Sequence, residues 1–166
     1  MLIGTLALVH QQREDVDVER LWERRLPGLP ADEAAVAAVE RQLGMALDPA
    51  HRQFLLTADG WEHALQHIDV FGTADLVGGR MEAARQMVEA MGPAPFEAAG
   101  LDPGGVVPMA ATAEDMDLFV MPVADGVAGP TVVWFAGGEV DRFADFADFM
   151  LAVLEYNRRE VANLLP

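Results

Sequence analysis

Between Asp32 and Trp61 the apolar positions recur with a helical period. Val36, Val39 and Leu43 fall at i, i+3 and i+7 with alanines between them, while Glu33, Glu40 and Arg41 occupy the opposite side. Asp32 stands four residues before Val36, where a side-chain oxygen can accept from the free N–H groups of a first turn. Gly44 closes the run, as suits the left-handed backbone after a last turn. A second helix restarts at Asp48-Pro49, with Asp as cap and Pro at the first helical position. Leu47, Phe54 and Leu55 fasten it to a core, and Asp59-Gly60 stops it. Helices this short need each other and a sheet to stay folded.

The rest of the chain alternates between the two periods. Leu2 to Val9 is apolar but too short to span a bilayer and has no basic flank, so it reads as a buried strand or helix turn and not a signal peptide. Val18, Leu21, Trp22 and Leu26 make a stripe that predicts a helix from Asp17 to Leu26, ended by Pro27-Gly28. A strand is expected at Gln66 to Phe71 and a helix at Met81 to Met91, where Met81, Ala84, Val88 and Met91 share a side. Pro93 to Gly105, with three prolines and three glycines, reads as a loop. Strands follow at Val106 to Ala110, Asp117 to Val123 and Thr131 to Ala136, and Gly137-Gly138 turns into a short strand, Glu139 to Phe143. A last helix, Asp145 to Val161, keeps Phe146, Phe149, Met150, Val153 and Leu154 in strict helical period. The expectation is one α+β domain over residues 1–166, with its core over about 17–161. Its central, mostly antiparallel sheet is flanked by the helices and covered on one side.

Composition narrows the function more than the fold. A 52% apolar and 23% charged chain is globular and long enough for a core. It contains no Cys and no Ser, which removes disulfides, thiolate nucleophiles, cysteine zinc sites and Ser-His-Asp catalysis. His63 and His67 are four apart, but Ala64 follows His63 where a metalloprotease has Glu, and His10 and His51 are remote, so no metal is expected. The Gly-Gly pairs at 78, 104 and 137 fit turns, not a phosphate loop. No cofactor and no enzymatic activity are expected. Charge is the outstanding feature: 27 acidic residues face 11 basic ones, all Arg, for a net −16. That is first a soluble surface, and beyond that a field that attracts a basic partner and repels nucleic acid. Trp22 and Trp61 read as core or rim residues and Trp134 as core.

The block Val36, Glu40, Leu43-Gly44, Leu47, Phe54-Leu55 and Asp59-Gly60 resembles the SUKH superfamily, the group of bacterial immunity proteins and fungal regulators of glucan synthesis (SMI/KNR type). Asp145, Phe146, Phe149 and Met150 echo its closing block. Asp48 stands where the family usually has Pro, and His51 where it has Tyr. The resemblance implies a SUKH-like fold and a cytoplasmic, non-enzymatic protein-binding domain. Its first expected role is an immunity protein neutralising a cognate toxin of a bacterial polymorphic-toxin system, the partner being a basic toxin domain such as a nuclease. A regulatory or scaffold binding module is the second, and an enzyme with an unrecognised site the third. No nucleic-acid or membrane partner is expected. The candidate contacts, taken as solvent-facing, are Glu14, Asp15 and Asp17; Glu114, Asp115 and Asp117; and Glu139 and Asp141 beside the hairpin turn, with Trp61 as the apolar alternative.

Overall fold

The computed structural model describes residues 2–19, 23–112 and 115–165. Helix α1 spans Leu2–Val16, α2 Glu33–Leu43 and α3 Pro49–Leu55. The caps form as the sequence dictates. Asp32 accepts from the Ala35 N–H at 2.7 Å, and Asp48 accepts from the N–H groups of Ala50 and His51 at 2.9 and 3.0 Å. Gly44 ends α2 at φ 69°. Glu40, on the polar side of α2, accepts the Leu47 N–H at 3.1 Å and so ties the end of α2 to the entry of α3. Arg52 of α3 reaches back to Glu33 and, at 3.7 Å, to Glu40.

The chain continues with β1 (Trp61–Leu65), β2 (Ile68–Val70), α4 (Thr73–Leu76), α5 (Gly79–Met91) and α6 (Pro93–Ala98). After a 3-10 turn at Pro103–Gly105 come β3 (Val106–Thr112), β4 (Asp117–Ala124), β5 (Val127–Ala128), β6 (Val132–Ala136), β7 (Glu139–Phe143) and α7 (Phe146–Leu164). The strands form one antiparallel sheet in the order β1-β2-β3-β4-β6-β7, with β5 paired to β4.

Five expectations need correction. Leu2 to Val9 is the first half of a helix that runs on to Val16, and its buried stripe is Leu6, Val9, His10 and Arg13. Two polar members hide that stripe from an apolar-period search. The helix expected over Asp17–Leu26 is not there at its described ends, while Leu21 and Trp22 lie outside the described residues. Val18 and Leu26 are exposed, and the following backbone is an extended strap. Gly28 donates to the Gly60 carbonyl at 2.8 Å and Ala31 to that of Leu55 at 3.0 Å. The strand expected at Gln66–Phe71 is half of a hairpin, because β1 begins directly after Gly60. The proline-rich 93–105 segment holds α6, whose Pro93 and Pro95 sit in its first turn, where a missing N–H costs nothing.

Finally, helices cover the sheet on both faces. Phe119 and Trp134 are in register on β4 and β6, and Phe119 meets Phe149 of α7 at 5.2 Å. Their neighbours Leu118 and Phe135 point the other way, and Phe135 meets Phe96 of α6 at 4.6 Å. The physical reason was legible in the strands: β3 and β4 are near-continuous apolar runs, the pattern of strands buried on both faces. On the α7 face Phe54, Leu55, Phe146 and Phe149 are buried together, with Phe146 5.2 Å from Phe54 and 5.7 Å from Phe149.

Two junctions hold these layers in place. At the Asp59-Gly60 turn three backbones meet. Gly60 has φ 82°, and a Cβ there would lie 2.5 Å from the Gly72 nitrogen; one on Gly28 would lie 2.2 Å from the Asp59 carbonyl oxygen. The Asp59 carboxylate accepts from Thr73 N–H and hydroxyl at 2.6 and 2.7 Å. The second junction is a buried polar seam under α1. His10 Nε2 and Asn157 Nδ2 both reach the Ala64 carbonyl, at 3.0 and 2.8 Å, and Arg13 donates to Asn157 at 3.0 Å. Arg13 also faces Glu160 at 3.6 Å, although burial still lowers its pKa against that pairing. Edge strand β1 is thus covered by α1 and the second half of α7.

Candidate partner-binding surface

The sheet register gathers four of the sequence-predicted contacts, Asp115, Asp117, Glu139 and Asp141, at one end of the sheet. Ile68 pairs with Thr112, and Asp117 pairs with Ala136. The β1–β2, β3–β4 and β6–β7 turns therefore line the same end of the sheet. Asp115 lies in the second turn and is exposed; its N–H donates to the Thr112 hydroxyl at 3.2 Å. Glu139 and Asp141 follow the third turn, both exposed. Asp141 sits opposite Trp134 in the β6–β7 register.

Each carboxylate has a different freedom. Asp117 is half-buried and accepts the Trp134 indole N–H at 2.7 Å, so its charge is anchored inside the surface. Glu139 receives two hydrogen bonds from Arg142, at 2.8 and 2.9 Å, which hold its carboxyl below the usual range and raise the guanidinium. Asp141 accepts the Arg142 N–H at 2.8 Å, which blunts the outer edge of β7. Glu114 lies outside the described residues.

Beside these charges stands an aromatic set that the sequence did not flag. Trp134 stacks on Phe119 at 5.2 Å and meets Tyr156 of α7 edge-on at 6.1 Å. Arg159 lies 5.3 Å over the Tyr156 ring. Trp134 and Tyr156 are half-buried, and Met116 on the β3–β4 turn is 48% exposed. The void of about 10 Å³ among Leu65, Phe119, Trp134 and Tyr156 is too small for a ligand, so the rings are a packed platform. The apolar strand around Trp134 predicts a core position, but its indole N–H needs a partner, and the start of β4 supplies one at the surface. Tyr156 and Arg159 were visible only as an i, i+3 pair off the apolar stripe of α7.

The remaining candidates lie elsewhere or inside. Glu14 and Asp15 are exposed on the last turn of α1, Glu14 paired with Arg24 at 2.8 Å and Asp15 accepting from Gln11 at 3.1 Å. Asp17, expected to face solvent, is 5% exposed. Trp61 is 1% exposed, donates to the Arg25 carbonyl at 3.0 Å and packs 5.1 Å from His10. Neither offers an accessible contact. His63 and His67 face each other at 5.8 Å near the β1–β2 turn, but no group of three metal-ligating side chains assembles among the described residues. No described helix is long and apolar enough to cross a membrane.

Against known proteins, residues 30–152 match the SMI1 / KNR4 family (SUKH-1), and the chain belongs to that family. The match runs from the strap before α2 to the first third of α7, so α1 and its seam lie outside it. Family membership supports a protein-binding or immunity-type domain. No curated protein matches the chain.

Proposed function

We propose that this chain is a non-enzymatic immunity protein that binds a basic toxin domain and neutralises it through the turn end of the sheet. The observation that carries this is the convergence, by strand register, of Asp115, Asp117 and Asp141 at the turn end beside the half-exposed Trp134–Tyr156 pair, with Glu139 at the same end on the α6 side. Aromatic anchors ringed by charge are what protein-binding hot spots are made of, and the net −16 steers a cationic partner toward them. The family, which supports a protein partner in general, and the sign of the charge support a partner class of toxins acting on nucleic acid in the cytoplasm.

The test is protection. Cells expressing a toxin domain encoded beside this protein should survive when the chain is co-expressed, and the two should co-purify as a complex. The turn-end variant Asp115→Arg/Asp141→Arg should lose protection while staying folded. Asp117 is left intact in that variant because reversing it would strand the Trp134 N–H. Full protection by the reversed variant overturns the assignment of the surface, and no protection by the wild type overturns the immunity role.

A further inference from the structure

On the opposite face, α5 presents an exposed stripe of alternating charge, Glu82, Arg85 and Glu89, at i, i+3 and i+7. A recess of about 580 Å³ opens on one flank against Val88, Val106 and Pro108. A second, of about 590 Å³, opens toward Leu43, Leu76 and Val77. Arg85 lines both, so its side chain borders the two recesses. Glu82 and Glu89 lie within one turn on either side, yet Arg85 has no ion pair or hydrogen bond to any described residue. In a chain with 27 carboxylates and 11 arginines, this cation remains available to an incoming anion.

We propose that this channel seats an extended segment of a partner protein whose side chains alternate basic, apolar, acidic, apolar, basic. The spacing follows from helix and strand geometry. Seven residues of helix carry Glu82 to Glu89 about 10.5 Å along the axis at roughly 1.5 Å per residue. In an extended segment residues j, j+2 and j+4 share a side and span about 13 Å. Basic groups at j and j+4 then bracket an acidic one over Arg85, and the two apolar residues between turn to the walls, one at Leu43, Leu76 and Val77 beside Glu82 and one at Val106 and Pro108 beside Glu89. Pro93, Pro103 and Pro108 have no N–H to donate along that wall. With fewer backbone donors there, side chains carry most of the recognition. This rests on the protein-binding role proposed above but uses a separate surface.

The probe is the blocked peptide Lys-Val-Glu-Val-Lys, titrated into isotope-labelled protein and followed by amide chemical shifts. Saturable shifts should be confined to α5, residues 42–43 and 76–78, and residues 103–108. The sign-reversed peptide Glu-Val-Lys-Val-Glu should bind at least tenfold more weakly. Arg85 is exposed, so Arg85→Glu should keep the fold; it should weaken Lys-Val-Glu-Val-Lys at least tenfold and favour Lys-Val-Lys-Val-Lys instead. Absence of saturable shifts there, equal binding of the two sign patterns, or indifference to Arg85→Glu overturns the channel. None of those results touches the turn end, whose variants are read out by protection.

Discussion

His51 offers the sharpest physical test of the fold. It lies at the start of α3 and is 1% exposed. Its ring stacks on Phe146 at 4.7 Å and 14°, and neither nitrogen has a hydrogen-bond partner among the described residues. Burial without a partner disfavours the imidazolium and pushes its pKa from 6.5 down to about 4. The unfolded chain binds that proton near pH 6.5 while the folded chain refuses it until near pH 4, so stability falls as pH drops through this window. Integrated from pH 8 to pH 5, the loss at this one site is about 2 kcal/mol. His10, also pushed down to about 4, first by burial and then by Arg13, adds a loss of the same sign. His51→Phe removes only the first contribution. Urea unfolding of wild type and variant at pH 8 and pH 5 isolates it, because His10 cancels in the difference. Stopping at pH 5 also avoids Glu33, Glu62 and Glu139, whose carboxyls are held below the usual range by hydrogen bonds from arginines. The variant should gain about 2 kcal/mol on wild type between the two pH values, whatever their difference at pH 8. A wild-type-to-variant difference that does not change with pH would refute the reasoning, since it would mean the folded protein protonates His51 normally.

Three further outcomes follow from the packing. Phe146→Ala, which empties the contact with Phe54, His51 and Phe149, should cost about 3–5 kcal/mol in denaturant unfolding; a loss below about 1 would place the ring at the surface. Asp32→Ala and Asp48→Ala should each cost about 1 kcal/mol, and a thermal melt with either midpoint unchanged would remove the capping role. Gly60→Ala should cost about 2 kcal/mol or more, because the backbone at φ 82° and the 2.5 Å approach to Gly72 both oppose a side chain; a neutral result would show the turn can open.

Much of this was readable from the chain because it is local. Asp32, Gly44, Asp48-Pro49 and Asp59-Gly60 mark the α2–α3 unit through hydrogen bonds that span only a few residues, and the turn at Gly137-Gly138 is likewise encoded on the spot. What was not legible is long-range. Arg13 and His10 look like surface residues of α1 until Asn157 and Ala64, far along the chain, receive them. The candidate surface shows the same division. Its carboxylates are plain in the sequence, but their convergence needs the β4–β6 and β6–β7 registers, and Trp134 joins them only when Asp117 is laid beside it. Asp17 failed as an accessible contact because nothing local marks it as buried, whereas the burial of Trp61 is the core reading that its indole suggests.

The central claim, a partner steered to the turn end by charge, is tested most directly by association kinetics against ionic strength. Wild-type protein and Asp115→Arg/Asp141→Arg are each mixed with the toxin domain against which the protein protects cells, from about 20 to 500 mM salt. Screening shortens from roughly 20 Å to a few ångströms across that range. The wild-type association rate should fall at least tenfold with little change in dissociation, and the reversed variant should start slower and lose most of that salt dependence. Association that is insensitive to salt, or identical in the two proteins, would contradict it.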